Sequence, residues 1–387
     1  MIKEKILNYV NNRQVTLLGV GPMSLICVDS VIELCNQYKI PIMLIASRRQ
    51  IDSSKFGGGY VNNWSTEKFA EYVMNGDKFG NIYLARDHGG PWQSDIERDR
   101  NLGLRLAMES AKNSYKADID SGFQILHLDP SIDIHGPIKL DESLDRLFEL
   151  YEFCYNYAKQ KGKEIIFEIG TEEQSGTTNT QEELEYTLSK TYEFCDKNQF
   201  SRPTFVVVQT GTRVKELRNV GSLDTPFRVK NEVPPEIQIP QMVNICNKFG
   251  IFMKEHNADY LSNEVLSWHP RLGIHAANVA PEFGVQETLG LLEVLEDNDL
   301  HNYAEEFMQI SYNSKKWKKW VISNNEVSFR TKSIISGHYI FSKPEFVEMK
   351  RKVVKILEKK DICLDLLLKE KIKISILRYL RNFRLVS

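Results

Sequence analysis

The sequence predicts a (β/α)8 barrel (a TIM barrel) with a C-terminal helical extension, on three observations. Eight short apolar runs recur along the chain, at 15–20, 41–46, 81–85, 123–128, 164–167, 204–208, 251–254 and 272–274. Helix-period stretches lie between them, at 24–38, 66–75, 101–117, 140–160, 181–197, 238–248 and 287–295, and such alternation argues for a parallel α/β architecture. Nearly every apolar run is followed at once by a residue able to do chemistry, as expected where strand ends share one rim.

The runs are rich in Val, Ile, Leu and Phe, so each reads as a strand buried on both faces. An open doubly wound sheet is the rival architecture. Against it, Gly19-Val20-Gly21 continues as Pro22-Met23-Ser24 and lacks the third glycine of a dinucleotide fingerprint.

The 387 residues divide by pattern into a barrel over 1–300 and a helical region over 301–387, packed on the barrel or on a neighbouring subunit. The stretch 311–320 is basic and aromatic. Ser342-Lys343-Pro344-Glu345 has the spacing of a helix start, and Phe346, Met349, Val353, Ile356 and Leu357 continue an apolar stripe. Such stripes usually bury against protein, which favours a cap over a membrane contact.

A net charge of −2 gives no basis for wholesale nucleic-acid binding. Six scattered cysteines without a CxxC pair read as reduced thiols. With no apolar run of membrane-spanning length and no signal-like start, the expected compartment is cytoplasmic.

Asp87-His88 follows the third run and precedes Gly89-Gly90-Pro91, whose backbone can approach a ligand closely. An imidazole beside a carboxylate suits a metal ligand next to a proton carrier, or else a hydrogen-bonded pair at a turn. His127 and Asp129 share one face of their strand, and His127 reads equally as a core histidine or a lumen group. Glu168 ends the fifth run as a candidate metal ligand or ligand orienter. Glu172, on the polar loop after it, reads as a general acid or base or as a solvated carboxylate. His256 and His275 follow the seventh and eighth runs. Together with His88 they predict three imidazoles around one divalent cation, on position alone.

Candidate substrate-binding residues are Ser47, Arg48 and Gln50 after the second run, and Asn257, Asp259 and Asn278 after the last two. The late loops are favoured, because barrel phosphate sites commonly use them. Arg213 and the lysines at 315–319 are further cations, the latter read as a solvated face.

Several motifs together resemble the GatZ/KbaZ family of tagatose-bisphosphate aldolase subunits, relatives of the class II aldolases. They are Phe56-Gly57-Gly58-Gly59-Tyr60, Asp87-His88-Gly89-Gly90-Pro91, His127-Leu128-Asp129, Ile169-Gly170-Thr171-Glu172, Val208-Gln209 and His256-Asn257-Ala258-Asp259-Tyr260. The resemblance runs from about Val15 to the Lys350 region. It implies that His88 and His256 bind zinc and that Asp87 handles protons. It also implies that Asp129 and Glu168 sit near the metal and that Glu172 is a mobile proton donor. The family's remaining ligand, a histidine at the end of strand six, is Gln209 here, read as a substrate contact. His275 as a replacement ligand is an inference from position.

The expectation is therefore a zinc-dependent aldehyde-lyase acting on a ketose phosphate in carbohydrate metabolism, with dihydroxyacetone phosphate as one fragment. A ketose-phosphate 4-epimerase using the same bond cleavage is one alternative. A non-catalytic partner that stabilises a separate aldolase subunit is the other. A homo-oligomer is the default assembly.

Overall fold

A computed structural model describes residues 2–170, 180–225, 233–322 and 325–387. Eight parallel strands close a barrel: β1 (Leu17–Val20), β2 (Ile42–Ser47), β3 (Ile82–Gly89), β4 (Ile125–Leu128), β5 (Ile166–Ile169), β6 (Phe205–Val207), β7 (Phe252–Glu255) and β8 (Ala276–Val279). Each strand pairs with its sequence neighbours, and β8 closes on β1 with Leu17 opposite Ala276. Leu18, Leu44, Leu126, Ile169, Met253 and Ala277 are fully buried, as a closed parallel sheet under helices requires.

Helices α1 (Leu25–Tyr38), α2 (Thr66–Gly76), α3 (Leu104–Ser121), α4 (Leu140–Gln160), α5 (Gln181–Asn198), α6 (Pro235–Phe249), α7 (Asn263–Leu272) and α8 (Pro281–Asp297) surround the sheet. Their starts follow from local chemistry. Ser24 Oγ accepts the Cys27 N–H, Ser262 Oγ accepts the Val265 N–H, and Thr180 and Glu183 form a capping box. After α8 come α9 (His301–Asn313), α10 (Phe329–Ser336), α11 (Pro344–Leu357) and α12 (Leu364–Asn382). Phe346, Met349, Val353 and Leu357 of α11 are buried, so the expected stripe packs inward.

One expected strand is displaced. Leu272 ends α7, Gly273 is its left-handed cap at φ +86°, and β8 begins only at Ala276. A run of three apolar residues does not separate a helix end from a strand.

Two buried ionic features brace this frame. Arg86 of β3 points outward and donates to both carboxylate oxygens of Asp118 on α3, at 2.8 and 2.6 Å. Its Nη1 donates to the Ala46 and Ile51 carbonyls at 2.8 and 2.7 Å. Glu287 of α8 accepts the Ser24 hydroxyl at the start of α1. Burial pushes the Glu287 carboxyl up to about 7; Asp365 adds to this, while Ser24 and Lys350 oppose it.

A raised carboxyl pKa means that the folded chain keeps a proton the unfolded chain has lost. Stability therefore falls as pH rises from about 4.3 toward 7, and the penalty is complete above that window. Glu287→Gln keeps an acceptor for Ser24 and removes the titration. It is expected to raise the unfolding midpoint by about 4 °C at about pH 8 and to leave it nearly unchanged at about pH 4, as thermal scans at both would read.

Candidate metal centre at the barrel mouth

Successive side chains of a regular strand point to opposite faces, so Asp87 and His88 should diverge. The β3–β4 register shifts between Arg86 and Gly89, and His88 takes φ +45°. That irregularity brings both side chains to the mouth, at a strain of about 1–3 kcal/mol for a non-glycine residue in the left-handed region. Gly90 follows against the Asp129 carbonyl, where a Cβ would sit 2.0 Å from the oxygen.

His88, His127 and His256 meet there, each offering a nitrogen within 4.8 Å of the others. His88 Nε2 lies 3.2 Å from His256 Nδ1, and the His88 N–H donates to His127 Nδ1 at 3.2 Å. The Asp87 Oδ1 stands among all three, 3.9 Å from His88 Nε2, 3.9 Å from His256 Nδ1 and 4.0 Å from His127 Nδ1.

Two carboxylates stand behind the rings. Asp129 Oδ2 lies 2.6 Å from His88 Nδ1 and also accepts from Gln93 Nε2 at 2.8 Å. Glu168 Oε1 lies 2.9 Å from His256 Nε2, while its Oε2 accepts from the buried Lys254 Nζ at 2.6 Å. A carboxylate on one ring nitrogen fixes the tautomer and leaves the other nitrogen's lone pair for a metal. Asp129 and Glu168, expected as ligands, are thus placed to orient His88 and His256.

The electrostatics follow from this packing. Burial opposes charge on His88, but Asp87, Asp129 and Glu168 together outweigh it and raise the imidazole to about 9. Burial pushes His127 down to about 4, helped by the charges of His256 and His88. Burial works against ionised Asp129 and Glu168, yet His88 in the first case and Lys254 in the second hold them well below the usual carboxylate range.

The donor set fits a divalent transition metal. Three converging imidazoles suit zinc and its neighbours, with open positions for substrate.

Other expected site residues divide clearly. Asn278 is in place: its Nδ2 donates to Asp87 Oδ1 at 3.1 Å, and its Oδ1 is buried without a partner. His275 is not; it precedes β8 at the opposite end of the barrel, stacked on Phe252 with centroids 4.5 Å apart. Its Nδ1 accepts the Met253 N–H at 3.1 Å. Arg48 is buried and consumed by Asp52 and Glu97, so it supports the loop and is not placed to bind substrate.

Gln50 turns back to accept from the Ser47 N–H and hydroxyl at 2.9 and 3.0 Å. Asp259 is buried and accepts the Ala280 and Glu282 N–H groups at 3.0 and 2.9 Å, which makes it a cap for α8. Burial and Glu282 raise its carboxyl to about 8. Asn257 holds φ +60°, and its carbonyl accepts from Asn219 Nδ2. Gln209 is buried just after β6. Glu172 lies outside the described residues.

The sequence reading left His127 undecided and omitted Lys254. For His127 the signal was the face it shares with Asp129. A lysine inside a strand run was the corresponding signal for Lys254.

No protein-family model matches the chain, and no curated protein matches it in sequence. Its fold is similar to that of several solved structures. A probable tagatose 6 phosphate kinase from Sinorhizobium meliloti 1021 is 16% identical over 95% of this chain and 100% of that one, with a TM-score of 0.73. Fructuronate-tagaturonate epimerase UxaE from Cohnella laeviribosi is 13% identical over 96% and 82%, with a TM-score of 0.60. Fructose-bisphosphate aldolase from Campylobacter jejuni is 12% identical over 99% and 94%, with a TM-score of 0.58. At these identities the likeness is one of fold.

Proposed function

We propose that this chain is a metal-dependent enzyme of the class II aldolase type, akin to the GatZ/KbaZ family, acting on a ketose phosphate. The observation that carries the reading is the three-imidazole cluster with Asp87 at its centre. Fold likeness to an aldolase and to a sugar epimerase is consistent with it but does not decide it.

A bound divalent cation, zinc in this reading, would polarise the ketose carbonyl and stabilise the negative charge left when the carbon–carbon bond beta to it breaks. Asp87 takes the proton of the aldehyde-side hydroxyl on its Oδ1 and returns it in the synthetic direction. Asn278 Nδ2 holds that oxygen in place at 3.1 Å. Asp129 and Glu168 keep His88 and His256 oriented, and Lys254 keeps Glu168 charged. Glu172, by resemblance, serves the enediolate side.

The same groups would serve a 4-epimerase in which the aldehyde turns before the bond reforms. The accessory-subunit reading draws on Gln209 in place of a histidine, and His127 from β4 counts against it by completing three imidazoles.

The test is an incubation of the purified full chain alone, loaded with zinc, with a ketose bisphosphate of the tagatose type. Triose phosphates are the expected products. A C4 epimer without trioses would replace lyase by epimerase. A fully zinc-loaded chain that turns over nothing would move the reading to the accessory role.

A further inference from the structure

Among the described residues, three cations on the hairpin after β6 and on the C-terminal extension have no acid to pair with. After β6 the chain forms a short hairpin, Val214–Lys215 against Arg218–Asn219. It is tied to the site from below: the Thr212 hydroxyl donates to the His256 carbonyl at 2.7 Å, and Asn219 Nδ2 donates to the Asn257 and Asp259 carbonyls at 2.9 and 3.0 Å. Arg213 follows Thr212 directly, which puts it at the mouth.

The C-terminal extension returns over the same place. The Glu216 N–H donates to the Trp320 carbonyl at 2.8 Å, and Lys215 Nζ donates to the Lys319 carbonyl at 2.7 Å. Lys316 reaches Asp95, beyond β3, at 3.3 Å, and Asn63 Nδ2, beyond β2, donates to the Ser342 carbonyl at 3.3 Å. Residues 316–322 and 325–342 therefore reach the loops after β2, β3 and β6 at the carboxyl face of the barrel.

We propose that Arg213, Lys215 and Lys319 form a subsite for the acidic terminus of the substrate, phosphate or carboxylate, built jointly by this hairpin and the C-terminal extension. The proposal rests on reading the barrel mouth as the active site. Among the described residues no carboxylate pairs with any of the three. Glu216, the nearest acid in sequence, is engaged by Arg218 at 3.5 Å and by Asn325 at 3.0 Å.

Lys319 Nζ instead lies over the rings of Trp320 and Tyr339, 4.6 and 5.2 Å from their centroids, and Trp320 Nε1 donates to the Tyr339 hydroxyl at 3.1 Å. Rings leave the ammonium's hydrogens free for an oxyanion. Lys215 is half-buried, and its charge is disfavoured first by that burial and then by Arg213 and Lys319. Gathering like charges is unfavourable, and a bound anion relieves it. Beside Tyr339, the buried His338 has neither ring nitrogen hydrogen-bonded, and burial together with the Lys319 charge holds it neutral.

The test uses metal-free full-length protein, so that an anion has no metal to bind and a failure of the aldolase reading leaves the result intact. Inorganic phosphate is titrated calorimetrically, with acetate as the carboxylate arm and chloride at matched ionic strength as the control. Saturable phosphate or acetate binding above chloride is expected, and the stronger of the two names the acidic group. Arg213→Gln and Lys319→Gln, both exposed positions, are each expected to weaken it about tenfold with the fold intact by circular dichroism. Neither anion binding better than chloride, or both variants titrating like the parent, would overturn the proposal.

Discussion

Alanine in place of His256 is expected to strip the metal from the chain and to cut turnover about a thousandfold or more, equivalent to about 4 kcal/mol of transition-state stabilisation. The reason is geometric. His256 is the ring that faces both His88, through Nδ1 at 3.2 Å, and Glu168, through Nε2 at 2.9 Å. Its loss removes a candidate ligand and leaves Glu168 with Lys254 at 2.6 Å and His127 Nδ1 at 3.8 Å. Metal content of the purified variant, measured beside its activity, checks this.

Glu168→Gln supplies the contrast. If Glu168 only orients His256, the variant keeps its metal with affinity lowered about 10- to 100-fold. Complete metal loss from Glu168→Gln, equal to that from His256→Ala, would make the glutamate a ligand after all. Retention of full metal and activity by His256→Ala would remove the metal centre from the reading altogether.

Arg86→Met is expected to be the most destabilising change outside the site, at about 3–5 kcal/mol. It leaves Asp118 charged and fully buried, and it strips donors from the Ala46 and Ile51 carbonyls. The double variant Arg86→Met with Asp118→Leu removes the stranded charge, so it should recover part of the loss. Denaturant unfolding of the three proteins at constant m-value reads both effects. Because β3 also carries Asp87 and His88, the single variant should lose metal affinity together with stability. A single variant within about 1 kcal/mol of the parent would show that the pair does not brace the barrel.

Much of the candidate site was legible because strand ends of a parallel barrel share one rim. Asp87, His88, Asp129, Glu168, His256 and Asn278 could be named from their places after apolar runs, with no contact known between them. What failed, failed locally. The run at 272–274 mixes a helix end with a glycine cap, so His275 was assigned to the wrong end of the barrel. Arg48 and Asp259 were assigned to substrate because a charged residue on a loop looks the same whether it faces water or a buried partner.

Alternation of buried strands and amphipathic helices is a property of neighbours along the chain, so the sequence by itself determined the barrel, its helical extension and the candidate rim residues. Which of those residues touch is a property of distance in space. Only the tertiary structure separated the imidazoles that converge from the carboxylates behind them, added His127 and Lys254, and brought Lys319, Trp320 and Ser342 back to the loops at the mouth. The physical reason is that hydrogen bonds and ion pairs form or fail over fractions of an ångström, and chain spacing does not encode such differences between residues more than a hundred positions apart.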